Sequence, residues 1–119
     1  MGSHNELGAK GEHLAENHLK EEGYTILCRN YRYQKAEIDI IALKEGILTI
    51  IEVKTRSSDF IKPITEAIDK RKIKLLALAA DNYILEKGWD LEVHFDIITV
   101  VRSRETFIIE HIENAFFPF

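Results

Sequence analysis

Apolar positions recur along the chain in two distinct rhythms. Leu7, Leu14, Ala15 and Leu19 fall at helical spacing between about Asn5 and Glu22, and Gly23 stands where a helix end favours a left-handed residue. Gly8 and Gly11 weaken the first turns of that helix. Three strand-like segments follow: Tyr24 to Tyr33, Glu37 to Leu43 and Ile47 to Arg56. Lys44-Glu45-Gly46 is short enough to close a hairpin between the last two. Asp59 to Lys62 reads as a loop, and Pro63 suits a first helical turn. From there to Lys87, Ile64, Ile68, Leu75, Leu76, Ala79, Ala80 and Tyr83 form one apolar stripe, closed by Gly88. Leu91 to Val101 and Thr106 to Ile112 are two further strands. The order αβββαββ predicts an α/β domain: a mixed sheet of about five strands flanked by helices, with the second helix as a crossover.

At 119 residues the chain is about one domain long, and no repeat or linker divides it. Met1-Gly2-Ser3-His4 reads as an expression-tag remnant, leaving 5–119 as a single domain. Sixteen Lys+Arg against 20 Asp+Glu give a net charge of −4, which excludes a generally basic coat but not a local basic face. One cysteine, Cys28, excludes an intramolecular disulfide framework and a cysteine-cluster zinc site. The longest apolar run, Leu75 to Ala80, is far too short to span a bilayer, and no secretory pattern opens the chain. The expectation is a cytoplasmic protein with no membrane partner.

The chemistry concentrates in Glu37 to Lys54. Alternation puts Glu37, Asp39, Ile41 and Leu43 on one strand face, and Leu48, Ile50, Glu52, Lys54 and Arg56 on one face of the next. Pairing Leu43 with Leu48 then sets Ile41 against Ile50, Asp39 against Glu52 and Glu37 against Lys54, on one side of the sheet. Ile38, Ile40, Ile51 and Val53 fall on the other. Directly opposed carboxylates lie roughly 5 Å apart at Cβ and repel by about 3 kcal/mol at an effective dielectric near 20. A divalent cation with hard oxygen ligands relieves that repulsion economically, and Lys54 stands beside it. The bland alternative is a solvent-facing ladder of charges. Glu37 is expected to pair with Lys54 across the strands.

Asp39, Glu52 thirteen positions later and Lys54 resemble the PD-(D/E)xK nuclease signature on a hairpin. Taken with Gly11-Glu12, Arg29-Asn30, Glu37-Ile38-Asp39, Glu52-Val53-Lys54-Thr55-Arg56 and Phe95-Asp96, the chain resembles the YraN-like family of predicted endonucleases, relatives of archaeal Holliday-junction resolvases. It departs at two turns: Ala36 replaces a usual glycine, and Phe60-Ile61-Lys62 lacks another. The resemblance implies a restriction-endonuclease-like αβββαβ core hydrolysing DNA phosphodiester bonds with Mg²⁺ or Mn²⁺, at branched or unusual structures. It implies that Asp39 and Glu52 ligate the metal with the Val53 carbonyl, that Glu12 approaches it from the first helix, and that Lys54 orients the attacking water.

Two stretches offer phosphate contacts: Arg29, Arg32 and Lys35 interleaved with Tyr31 and Tyr33, and Lys70 and Lys72 within a run of four cations in five residues. Arg56, beyond Lys54 on the same face, is the best single candidate. Asp96 reads as a brace for the sheet rather than a ligand. The tail Ala115 to Phe119 wants cover, from its own domain or from a second copy in a homodimer. The competing functional class is a catalytically idle nucleic-acid- or partner-binding module on the same fold.

Overall fold

The computed structural model of the chain describes residues 3–57 and 69–117, with side chains from Glu6 onward. The elements run α1 (Ser3–Glu21), β1 (Thr25–Tyr33), β2 (Ala36–Lys44), β3 (Ile47–Ser57), α2 (Lys70–Lys87), β4 (Glu92–Ser103) and β5 (Thr106–Ile112). This is the expected αβββαββ order. The helix starts at Ser3, so two residues read as tag remnant continue α1. The loop at Asp59–Lys62, Pro63, Ile64 and Ile68 lie outside the described residues, as do Pro118 and Phe119. Where α2 starts is nevertheless clear. Asp69 is extended (φ −94, ψ 175) and its side chain accepts the Lys72 backbone N–H, so the helix begins at Lys70 and does not run on from Pro63. At the other end Gly88, at φ 69, returns its N–H to the Ile84 and Leu85 carbonyls.

The five strands form one sheet in chain order, β1-β2-β3-β4-β5. β3 and β4 are parallel and the other three pairs antiparallel, so the sheet is mixed. A parallel step cannot be closed by a tight turn, and α2 lies in the connection. α1 and α2 cover opposite faces of the sheet. Ala15 and Leu19 of α1 bury against Ile40, Ala42, Ile51, Ile98 and Val100. Leu76, Ala79, Ala80 and Tyr83 of α2 bury against Ile41, Leu48, Ile50 and Phe95. No helix among the described residues is long and apolar enough to cross a membrane.

The β2–β3 hairpin turns through Glu45 and Gly46, both at positive φ (52 and 78). Its register is the expected one where the strands pair: Leu43↔Leu48 and Ile41↔Ile50. The ladder ends at Ile40↔Ile51. On its other side β2 stays paired with β1 out to Tyr33↔Ala36. Between the Arg29↔Ile40 and Tyr31↔Ile38 pairs, Asn30 adopts φ 51, a left-handed conformation inside a strand. Strict alternation fails there. Ile38 joins Ile41 in the cluster under α2, not Ile40 on the α1 face as parity predicts.

Candidate active site

Where the β2–β3 ladder stops, a carboxylate replaces the backbone partner. Asp39 Oδ2 accepts the Val53 N–H at 2.8 Å. In a strand, the N–H and C=O of one residue point to the same side, so the Val53 carbonyl also faces this opened gap. Glu52 precedes Val53 and is only 4% exposed. Lys54 Nζ lies 3.2 Å from Glu52 Oε2. Asp39, Glu52 and Lys54 therefore converge at one place, although Asp39 and Glu52 are no longer a ladder pair.

A fourth group, Lys72, reaches the same oxygen. From the first turn of α2 its Nζ pairs with Glu52 Oε2, so two ammonium groups share one buried carboxylate oxygen. Strand parity cannot foresee this contact, because it comes from a helix packed above the sheet. Its only trace in the sequence is the cationic run Lys70–Lys74, which reads equally well as a solvated face. Lys35, Asp39, Glu52, Arg71 and Lys72 line a pocket of about 340 Å³ at this end of the sheet.

The electrostatics follow from crowding and burial. Desolvation, with the Glu52 charge adding to it, pushes Asp39 up to about 7, against the pull of the Val53 N–H. Burial lowers the Lys54 ammonium; Lys72 adds to that and Glu52 opposes it. Burial also works against charge on Lys72, but its bond to Glu52 more than offsets this and raises it. Glu12 is raised by burial, then by the charges of Glu37 and Glu52, which brings it within electrostatic reach of the pair from α1. Its approach depends on Gly11, which lies directly against Thr55 of β3.

Among the described residues, no three His, Cys, Asp or Glu side chains are gathered tightly enough to hold an ion by themselves. The donor set nevertheless suits a hard divalent cation. Two carboxylates and a peptide carbonyl face one gap, and each acid raises the other's affinity for positive charge. The position beside Glu52 already holds cations of the chain's own making.

The remaining sequence candidates scatter. Glu37 pairs with Arg32 (2.6 Å) and not with Lys54. Arg29 forms a two-pronged bond with Glu16, its Nε 2.7 Å from Oε2, and holds that carboxyl down at about 2. This ties β1 to α1. Arg56 donates to the Thr55 carbonyl at 2.9 Å. Lys35 lies in the pocket and Lys70 is exposed at the α2 start. Asp96, 2% exposed, pairs with His111 Nε2 (2.7 Å) and accepts the Asn114 N–H (3.0 Å), bracing β4 to β5 and the following turn.

The model of the Uncharacterised protein family UPF0102 matches residues 11–100, a span containing Glu12, Asp39, Glu52, Lys54 and Lys72. A UPF0102 protein of Flavobacterium psychrophilum is 49% identical over 126 aligned residues, covering 100% of both chains. One from Bacteroides thetaiotaomicron is 48% identical over 118, covering 99% of this chain and 98% of its own. One from Parabacteroides distasonis is 42% identical over 117, covering 98% and 97%. With the family motifs and these end-to-end likenesses in agreement, the chain belongs to the uncharacterised protein family UPF0102, the YraN-like family that its motifs resemble.

Proposed function

We propose that this protein is a divalent-metal-dependent endonuclease that hydrolyses DNA phosphodiester bonds at branched or otherwise unusual structures. The observation that carries the reading is the meeting of Asp39 and Glu52 at the open end of the β2–β3 ladder, with Lys54 3.2 Å from Glu52. In this reading Asp39, Glu52 and the Val53 carbonyl hold Mg²⁺ or Mn²⁺, and Glu12 supports it from α1. The metal, when bound, supplies positive charge that acidifies a water and polarises the phosphoryl oxygen. Lys54, half-buried and with its pKa lowered by burial, orients the attacking water and faces the charge that builds on the phosphate. Lys35 and Arg71 at the pocket wall offer contacts to the nucleic-acid backbone, which position a strand without reading its sequence; Arg56, Arg29, Arg32 and Lys70 lie outside that wall and would meet only a longer substrate.

The test is cleavage of duplex, single-stranded and four-way-junction DNA with Mg²⁺ and Mn²⁺. Glu52→Ala and Asp39→Ala should each lower the rate by about 10³-fold or more, and Lys54→Ala by about 10²-fold or more. Cutting that survives all three changes is contamination and ends the proposal.

One observation favours a second reading, a binding module whose site is idle: Lys72 and Lys54 already neutralise Glu52 without any metal. Such a module binds DNA with a salt-dependent affinity that ignores Asp39→Ala, and cuts nothing.

A further inference from the structure

The pairing of Lys72 with Glu52 has no part in the chemistry just outlined, yet it occupies the centre of the site. Glu52 is nearly inaccessible, so it needs a compensating charge at all times. Lys54, on the same strand and itself mostly buried, supplies one ammonium. The second comes from another element. Lys72 sits in the first turn of α2, its backbone N–H fixed by the Asp69 cap at 2.8 Å, and only its flexible stem reaches down to the carboxylate. Its side chain is 38% exposed against 18% for Lys54, so Lys72 is the more open to solvent of the two. The two ammonium groups converge on a single oxygen, Oε2. An ion held between Asp39 and Glu52 would meet the same carboxylate that these two ammonium groups already hold.

We propose that Lys72 is a tethered competitor for the divalent ion: in the metal-free protein its ammonium holds Glu52, and an ion can bind only as Lys72 withdraws into solvent. The inference rests on reading Asp39 and Glu52 as a cation site. Charge balance supports it. Two carboxylates and two ammonium groups are near neutral together, whereas adding a 2+ ion with both lysines in place leaves an excess of positive charge in a half-buried pocket. Lys72 is the group able to leave, since its helix anchor stays in place while four methylenes swing outward. Metal binding and Lys72 release are then two sides of one linkage, so each must change the other by the same factor.

The test is Mn²⁺ titration by calorimetry on the intact chain, with Lys72→Met beside wild type. Lys74→Met, on an exposed position of the same helix, removes an equal charge without touching Glu52. Lys72→Met should bind Mn²⁺ about tenfold more tightly than wild type, while Lys74→Met shifts affinity less than about threefold. A second measurement reads release directly in the wild-type protein: amine-reactive labelling of Lys72, followed by peptide mapping, should accelerate when Mn²⁺ is added. Equal Mn²⁺ affinity in wild type and Lys72→Met, or labelling of Lys72 that does not respond to the ion, overturns the competition and leaves the cation site standing. Absence of Mn²⁺ binding in every variant overturns both.

Discussion

A methyl group placed on Gly11 of α1 would fall 2.0 Å from Oγ1 of Thr55 on β3. The Thr55 side chain packs against the helix backbone at this point, one residue before Glu12 and three residues after Glu52. The glycine that weakens the helix by propensity is required by packing. Gly11→Ala raises intrinsic helix propensity by about 1 kcal/mol but creates an overlap costing typically 1–3 kcal/mol, so the net change is destabilising. Thr55→Ala removes the two nearest atoms, and the double variant should recover part of the loss. A double-mutant cycle by urea denaturation checks the coupling; additive single effects would mean the helix does not press on Thr55.

The raised Asp39 pKa makes metal-free stability depend on pH in a defined direction. The folded carboxyl titrates at about 7 against an ordinary 3.8. Between those values the unfolded chain has lost its proton while the folded one keeps it, so stability falls as pH rises through the window and levels off above it. Below the window both states are protonated and this group contributes no slope. Denaturation at a series of pH values from roughly 4 to 8 should show the decline, and Asp39→Asn should remove its main part. A decline that persists undiminished in the Asn variant would assign the slope to other groups.

Asn30 interrupts β1 next to Asp39 with a backbone conformation that side chains branched at Cβ disfavour strongly. Asn30→Gly should be close to neutral, and Asn30→Val should cost about 1–2 kcal/mol. If Val is tolerated as well as Gly, β1 takes up a regular ladder without penalty and the bend is not needed to place Asp39.

Asp96 ties β4 to β5 and to the turn that follows. Deprived of it, His111 and the Asn114 N–H lose their partner in a nearly closed setting. Asp96→Ala should destabilise by about 3 kcal/mol while leaving Mn²⁺ affinity within twofold of wild type. A large drop in affinity with unchanged stability would move Asp96 into the metal's surroundings.

Alternation carries far in this chain, and where it stops is instructive. Leu43↔Leu48 and Ile41↔Ile50 follow from period two, whereas the expected Asp39–Glu52 pair lies past the end of the ladder, where Asp39 takes the Val53 N–H instead. Period two assumes a straight strand, however. Asn30 takes a left-handed conformation opposite this stretch, Ile38 packs beneath α2, and Glu37 pairs with Arg32, its cross-strand neighbour on β1. Lys72 is legible in the sequence as a candidate phosphate contact, but its pairing with Glu52 is not, for a different reason. Its contact depends on how α2 lies over the sheet, which no local pattern along Lys70–Lys74 encodes. Chain-wide motifs bring Glu12 near the pair, but only the three-dimensional contact between Gly11 and Thr55 explains how.

Past Ile40 the β1–β2 ribbon parts from β3, and Asp39 bridges the fork by accepting the Val53 N–H. Farther out, that ribbon is moored to α2 through Tyr31, which hydrogen-bonds Glu86 and Asn82. The two acids thus ride on separate banks of a cleft. Their spacing therefore depends on how the ribbon is seated on α2 as well as on the bond between Asp39 and Val53.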